Sequence, residues 1–216
     1  MTARSSPAGR RGHLVRVLPS WPAALAVIAH PDDESFGLGA VIGELAAAGT
    51  AVHILCYTNG EASTLNETHA DLHRARREEL RQAAAELGAA GVTLLGYPGV
   101  TLLGYPDGGL AGFPAAELAR HAAAAATRHR VGGLLVFDDT GITGHPDHQA
   151  ATAAAVLAGR LAGLPVLAWA LTDAVAARLA AETGQPFAGQ TPGAMDLCVQ
   201  GDREYLRWLV PPETVR

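Results

Sequence analysis

Six residues, His30-Pro31-Asp32-Asp33-Glu34-Ser35, follow directly on the apolar run Ala24-Leu25-Ala26-Val27-Ile28-Ala29. A buried strand gains nothing by ending in an imidazole and three carboxylates, whereas one divalent ion holds together groups that otherwise repel one another. Far along the chain, Gly144-His145-Pro146-Asp147-His148 supplies two more imidazoles in a nearly matching setting. His30 and Asp33, three residues apart at a strand-to-helix turn, can face one ion once deprotonated, which leaves Asp32 directed elsewhere and able to act on a bound water. His145 and His148 lie one helical turn apart, with Pro146 suited to the first position of that helix. One of them can bind the ion while the other faces the reacting group. An acidic helix cap would account for a lone aspartate, and a surface location for His-x-x-His by itself. Together the two clusters form the equipment of a metal-assisted hydrolase.

Short β-rich runs alternate with alanine-rich stretches around these clusters, which predicts an α/β fold: a Rossmann-like three-layer sandwich with a mostly parallel sheet. Strands are predicted at Leu25–Ala29, Ala51–Thr58, Gly91–Leu95, Gly133–Phe137 and Pro165–Leu171, with a weaker one at Asp196–Val199. Helices are predicted at Leu38–Ala48, Ala70–Leu87, Pro114–Arg128, Asp147–Leu161 and Ala174–Glu182, with Gly49, Gly88 and Gly163 at C-caps. Ligands of such folds gather beyond the C-terminal ends of the strands. His30–Glu34, Asn59-Gly60-Glu61 and Asp138–His148 each follow a strand end, so they are expected on one rim. Asp138, Asp139 and Asp147 are candidate partners for the outer ring nitrogens of ligand histidines, with Glu61 as further support.

Composition narrows the classes. A chain of 216 residues suits one domain, here 23–216, preceded by an Arg-, Ser- and Pro-rich segment, 1–22, read as a flexible leader. Net charge is -5, which gives no footprint for nucleic acid, and all sixteen positive side chains are arginine, which excludes lysine Schiff-base chemistry. No stretch has the length of a membrane span, so no membrane partner and a cytoplasmic location are expected. The apolar tail invites self-association into a homo-oligomer. Cys56 and Cys198 lie in apolar, strand-like stretches and are read as buried free thiols. One octapeptide, Gly91-Val-Thr-Leu-Leu-Gly-Tyr-Pro98, recurs unchanged as Gly99-Val-Thr-Leu-Leu-Gly-Tyr-Pro106. Two copies do not fit one sheet slot, so one is expected to form the strand while the other loops out or adds an edge pairing. An even repeat length keeps the same residues facing inward, and only the second copy leads into Asp107-Gly108-Gly109.

Ala29-His30-Pro31-Asp32-Asp33-Glu34 and His145-Pro146-Asp147-His148 resemble the motifs of the PIG-L/LmbE family of metal-dependent N-acetylglucosamine deacetylases. The resemblance runs from about Leu25 to Leu171 and includes Thr58-Asn59-Gly60-Glu61 and Arg76-x-x-Glu79-Leu80. It implies that His30, Asp33 and His148 bind one divalent ion, zinc first and ferrous iron second. It further implies Asp32 as general base, and His145, in protonated form, as the group that steadies the oxyanion or protonates the leaving amine. Arg76 and Asp107 would contact the sugar of a small-molecule N-acetylated amino-sugar substrate, for which Tyr57, Tyr97, Tyr105 and Phe113 are candidate stacking platforms. By their own surroundings, Arg76 also reads as part of an ion-paired helix face, and Asp107 as a turn residue before Gly108-Gly109. Two departures stand out. Thr143 occupies a place where some members carry tyrosine, and no His-x-Ser-Gln follows Val199, where Asp202–Trp208 is predicted as a short replacement helix. Two other readings compete: an inactive scaffold, and a nucleotide-binding protein using Gly37-Leu38-Gly39-Ala40-Val41-Ile42-Gly43. The second sets acidic residues where a pyrophosphate wants a tight glycine turn.

Overall fold

A computed structural model describes residues 13–14, 17–61, 72–89, 100–190 and 205–210. Its strands are β1 (His13–Leu14), β2 (Ala23–Ile28), β3 (Ala51–Thr58), β4 (Val100–Tyr105), β5 (Gly133–Phe137), β6 (Val166–Thr172), β7 (Gly189–Gln190) and β8 (Tyr205–Val210). Its helices are α1 (Asp33–Phe36), α2 (Gly39–Ala47), α3 (Leu72–Glu86), α4 (Ala115–His129), α5 (Gly141–Gly144), α6 (Pro146–Ala162) and α7 (Asp173–Thr183). Every strand pairing among the described residues is parallel, in the order β1-β8-β6-β5-β2-β3-β4, with β7 beside the end of β6. Burial on both faces explains why β2 reads as a continuous apolar run rather than an alternating one.

Each face carries its own core. Ala26 and Ile28 of β2 pack with Val41, Ile42 and Leu45 of α2, Leu80 of α3 and Val175 of α7. On the opposite face Leu25 and Val27 meet Leu118 and Ala122 of α4 and Ala154 and Ala158 of α6. The alanine-lined helices α4 and α6 pack on each other as well, since small side chains let two helices approach closely. The result is the expected Rossmann-like sandwich. From β2 the chain winds outward through β3 to β4, then returns past β2 to β5 and on to β6. The order thus reverses between β2 and β5, and the crevice beyond their C-terminal ends is where such sheets bind ligands.

Most predicted elements recur within a residue or two. The second copy of the octapeptide supplies β4, which pairs with β3 through a register shift opposite Cys56 and Thr58; Gly104, at φ 75, lies within it. Pro106 and Asp107 are thereby delivered to the rim. The first copy, with the strand predicted at Gly91–Leu95, lies outside the described residues, as do Asp196–Val199, Tyr97 and Cys198. The helix predicted at Asp202–Trp208 is corrected: Tyr205–Val210 is a strand between β6 and β1. Tyr-Leu-Arg-Trp-Leu-Val is rich in strand-favouring aromatic and branched residues, and β6 offers it a hydrogen-bonding edge that no local pattern can reveal. Its partner β1 comes from within the segment read as a leader. Cys56 is a buried free thiol, with Sγ against the carbonyls of Thr58 and Ala29. No described helix is long and apolar enough to cross a membrane.

Candidate metal centre

Beyond β2 the chain turns through Asp32, whose φ of 113° is rare for a residue with a side chain, costs about 1–3 kcal/mol and persists only where its surroundings enforce it. Glu34 enforces it. Its Oε2 accepts from the Asp32 amide at 2.9 Å and its Oε1 accepts from the Ser35 hydroxyl at 2.8 Å, and burial raises its pKa. The two neighbouring aspartates are used differently. Asp33 is buried, with Oδ2 accepting from the amides of Ala29 (3.1 Å) and His30 (3.0 Å) and Oδ1 lying 3.1 Å from His148 Nε2. Asp32 keeps a side chain 41% exposed and faces the guanidinium of Arg76, 3.7 Å away.

Beyond β5 a second irregular turn does the corresponding work. Asp138 Oδ1 accepts from the amide and hydroxyl of Thr140, whose own hydroxyl oxygen accepts from the Ile142 amide at 3.2 Å. Ile142 is at φ 65, so α5 is not a regular helix, and the turn presents the Gly141 carbonyl to His148 Nδ1 at 3.0 Å. His145 caps α6: its Nδ1 accepts from the Asp147 amide at 3.2 Å. Asp147, fully buried, accepts from the amides of Gly108 (2.8 Å) and Leu110 (3.0 Å) and lies 3.4 Å from His30 Nε2.

These two turns bring the three expected ligands together. His30 Nδ1 lies 3.2 Å from His148 Nε2 and 3.8 Å from Asp33 Oδ2, and His148 Nε2 lies 3.1 Å from Asp33 Oδ1. Donor atoms about 2.1 Å from a tetrahedral ion are about 3.4 Å apart, so the set fits a zinc-sized ion. The tautomers fit too. Neutral His148 with Nδ1–H on the Gly141 carbonyl, and neutral His30 with Nε2–H toward Asp107 Oδ1 at 3.0 Å and Asp147, would each turn a lone pair inward to an ion. A third imidazole, His145, is also close enough to share an ion with His30 and His148. Its Nδ1 lone pair is taken by the Asp147 amide, so neutral His145 carries its proton on Nε2 and acts as a donor. Among the three aspartates suggested as partners of ligand histidines, Asp147 serves His30, while the Gly141 carbonyl serves His148.

Charge follows from the packing. Burial, then the neighbouring Asp33 charge, pushes the Asp32 carboxyl up to about 6 against the pull of Arg76, His30 and His148. For Asp33 burial acts upward, but the hydrogen bond and charge of His148, with His30, outweigh it and hold its pKa low. The same contact raises His148 despite its burial. His145 is lowered by burial and by the other two imidazoles, a shift that favours its neutral form.

The seven residues to which the resemblance gives metal, catalytic or substrate roles (His30, Asp32, Asp33, Arg76, Asp107, His145 and His148) line one cavity of about 310 Å³. Arg76 is not part of a solvated helix face: it is buried, pairing with Asp32 and with Glu79 at 3.2 Å. Glu61 supports Asp107 by accepting from its amide at 3.1 Å. The aromatic expectations are revised. Tyr57 is fully buried with its hydroxyl on the Leu118 carbonyl, and Tyr105 bonds to Glu117 and His121 while packing on Phe113. The exposed aromatic near the motif is Phe36, 88% exposed and one turn beyond Asp32. An apolar residue directly after an acidic motif was the available signal.

Residues 25–158 match the family described as GlcNAc-PI de-N-acetylase, PIG-L. Nothing among curated proteins matches the chain. Among solved structures, the conserved protein TT1542 from Thermus thermophilus is 33% identical over 65% of this chain and 57% of its own, with a TM-score of 0.51. N,N'-diacetylchitobiose deacetylase from Pyrococcus horikoshii shares the fold at 20% identity, over 80% of this chain and 58% of its own, with a TM-score of 0.55. GalB, the 4-carboxy-2-hydroxymuconate hydratase from Pseudomonas putida, is 25% identical over 64% of this chain and 56% of its own, with a TM-score of 0.52. This chain therefore spans under three-fifths of each, and the same fold carries more than one reaction. With the family match extending over more than half its length, this protein belongs to the GlcNAc-PI de-N-acetylase (PIG-L) family.

Proposed function

We propose that this protein is a metal-dependent hydrolase that removes the acetyl group from the nitrogen of an N-acetylated amino sugar or its conjugate. The observation that carries this reading is the convergence of His30, Asp33 and His148, with their outer nitrogens and oxygen already engaged, beside a partly exposed carboxylate and a third imidazole. Family membership supports it, as does the Pyrococcus relative, a deacetylase of an acetylated amino-sugar disaccharide. A bound zinc or ferrous ion would supply Lewis acidity, acidifying a water and polarising the amide carbonyl.

The chain's own groups complete the chemistry. Asp32, largely ionised at neutral pH yet more basic than an ordinary carboxylate, takes a proton from the attacking water. His145 donates its Nε2–H to the carbonyl oxygen as negative charge gathers there. An amine leaves only with a proton, and Asp32 holds the one just gained. Neutral His145 has its other nitrogen engaged, so Asp32 serves as base and then as acid. Arg76 keeps Asp32 oriented, and with Asp107 it offers a donor and an acceptor for sugar hydroxyls. A nucleotide reading fares worse: Asp32, Asp33 and Glu34 occupy the turn where a pyrophosphate would lie, and the Phe137 ring fills the space beside Gly37.

The test is metal content of protein purified anaerobically without chelator, followed by amine release from N-acetylglucosamine and its glycosides. The expected result is about one zinc or iron per chain and amine release that chelation abolishes and metal restores. Protein that takes up no metal on titration would overturn the reading in favour of a nucleotide-binding protein or a scaffold.

A further inference from the structure

His148 is held in its ring plane, at Nδ1 by the Gly141 carbonyl and at Nε2 by Asp33 and His30, contacts that leave its two faces to be set by packing. The His145 ring lies 4.9 Å away at 32°, and a second ring also packs against it. Phe137, the last residue of β5, is 6% exposed, and its ring centroid lies 5.0 Å from that of His148 at 56°. Trp169, its register partner on β6, lies 5.7 Å away and bounds it from another direction. A Cβ placed on Gly37 would stand 2.2 Å from Phe137 Cε1 and 2.5 Å from Cζ, far inside contact distance. Gly37 has φ -113, so it is not glycine for the sake of a left-handed backbone. The constraint is space.

We propose that Phe137 is a positioning residue that sets the tilt of the His148 imidazole, and that Gly37 lacks a side chain because the Phe137 ring occupies its place. The ring thereby links the two ligand-bearing turns: Gly37 closes the one that carries His30 and Asp33, and His148 belongs to the other. A methyl group at Gly37 drives the ring toward His148 or Trp169, since core side chains have no slack to absorb a shift of this size. Metal sites tolerate only about 0.2 Å in donor position, and disturbing the groups that orient a ligand typically weakens binding about 10- to 100-fold. The inference rests on His148 being a metal ligand.

The experiment measures zinc affinity by competition titration and the visible spectrum of the cobalt-loaded full chain, for wild type, Gly37→Ala, Phe137→Leu and the double variant. Gly37→Ala is expected to weaken zinc about 10-fold or more and to alter the cobalt bands. Phe137→Leu, which withdraws the buttress, is expected to weaken zinc by a smaller factor. In the double variant the added methyl enters space the ring has left, so affinity recovers relative to Gly37→Ala. Wild-type affinity in a folded Gly37→Ala protein, or a loss that the second substitution does not relieve, overturns the proposal. Should Gly37→Ala not fold, Phe137→Leu decides alone, and unchanged affinity there overturns it. A wild type that binds no metal overturns the hydrolase reading itself, a separable outcome.

Discussion

The tripeptide His-Pro-Asp occurs twice, at the ends of two neighbouring strands, and the two copies are put to different use. In the first, Asp32 stands at φ 113 with a side chain 41% exposed, its carboxyl raised to about 6 and aimed into the cavity. In the second, Asp147 lies in the regular first turn of α6, 0% exposed, with its oxygens on the amides of Gly108 and Leu110 and beside the outer nitrogen of His30. The histidines differ likewise: His30 presents Nδ1 to the ligand set, while His145 spends Nδ1 on a helix cap and keeps Nε2–H as a donor. Identical residues become base or brace, ligand or donor, according to whether the backbone is strained or helical.

The largest expected effect breaks this comparison on the chemical side. Asp32→Asn should keep its metal and lose turnover by about 100- to 10,000-fold, the usual range for a general base, measured as amine release at saturating substrate. Undiminished turnover would move the base elsewhere. Asp147→Asn should behave the opposite way, with stability lower by about 1–3 kcal/mol in urea unfolding and zinc affinity down about 10-fold, because a buried acceptor and a histidine's partner are both altered. Equal effects of the two substitutions on turnover would erase the distinction.

A smaller effect sharpens it. The folded state raises Asp32 from 3.8 to about 6, so it holds that proton more tightly than the unfolded chain, and the group's contribution to stability declines as pH rises across that window. Metal-free Asp32→Asn should therefore melt above metal-free wild type at pH 7, with the difference closing as pH falls below about 4. A gap that widened toward acid would show that the carboxyl is not raised. The smallest effect concerns the approach to Asp107. Removing one octapeptide leaves the same sequence whichever copy is cut, so β4 and its exit to Asp107 persist, and zinc affinity and turnover should match wild type within error. Lost metal binding would mean that the extra copy supports the site.

Much of the fold was legible because parallel strands buried on both faces leave continuous apolar runs, as at Ala23–Ile28 and Gly133–Phe137, and helices leave alanine stripes with glycine ends. The C-terminal strand was not, since Tyr205–Val210 extends only because β6 and β1 flank it. The candidate site divides along the same line. Residue type and spacing sufficed to expect His30, Asp32, Asp33, His145 and His148 in one cluster, and they do line one cavity. Their assignments to atoms waited for the tertiary structure. The lowered pKa of His145, the burial of Arg76 and the packing of Phe137 against both Gly37 and His148 depend on which groups long-range packing sets beside each one. A sequence carries side-chain chemistry and local backbone preference, but desolvation and contact arise between residues more than a hundred positions apart.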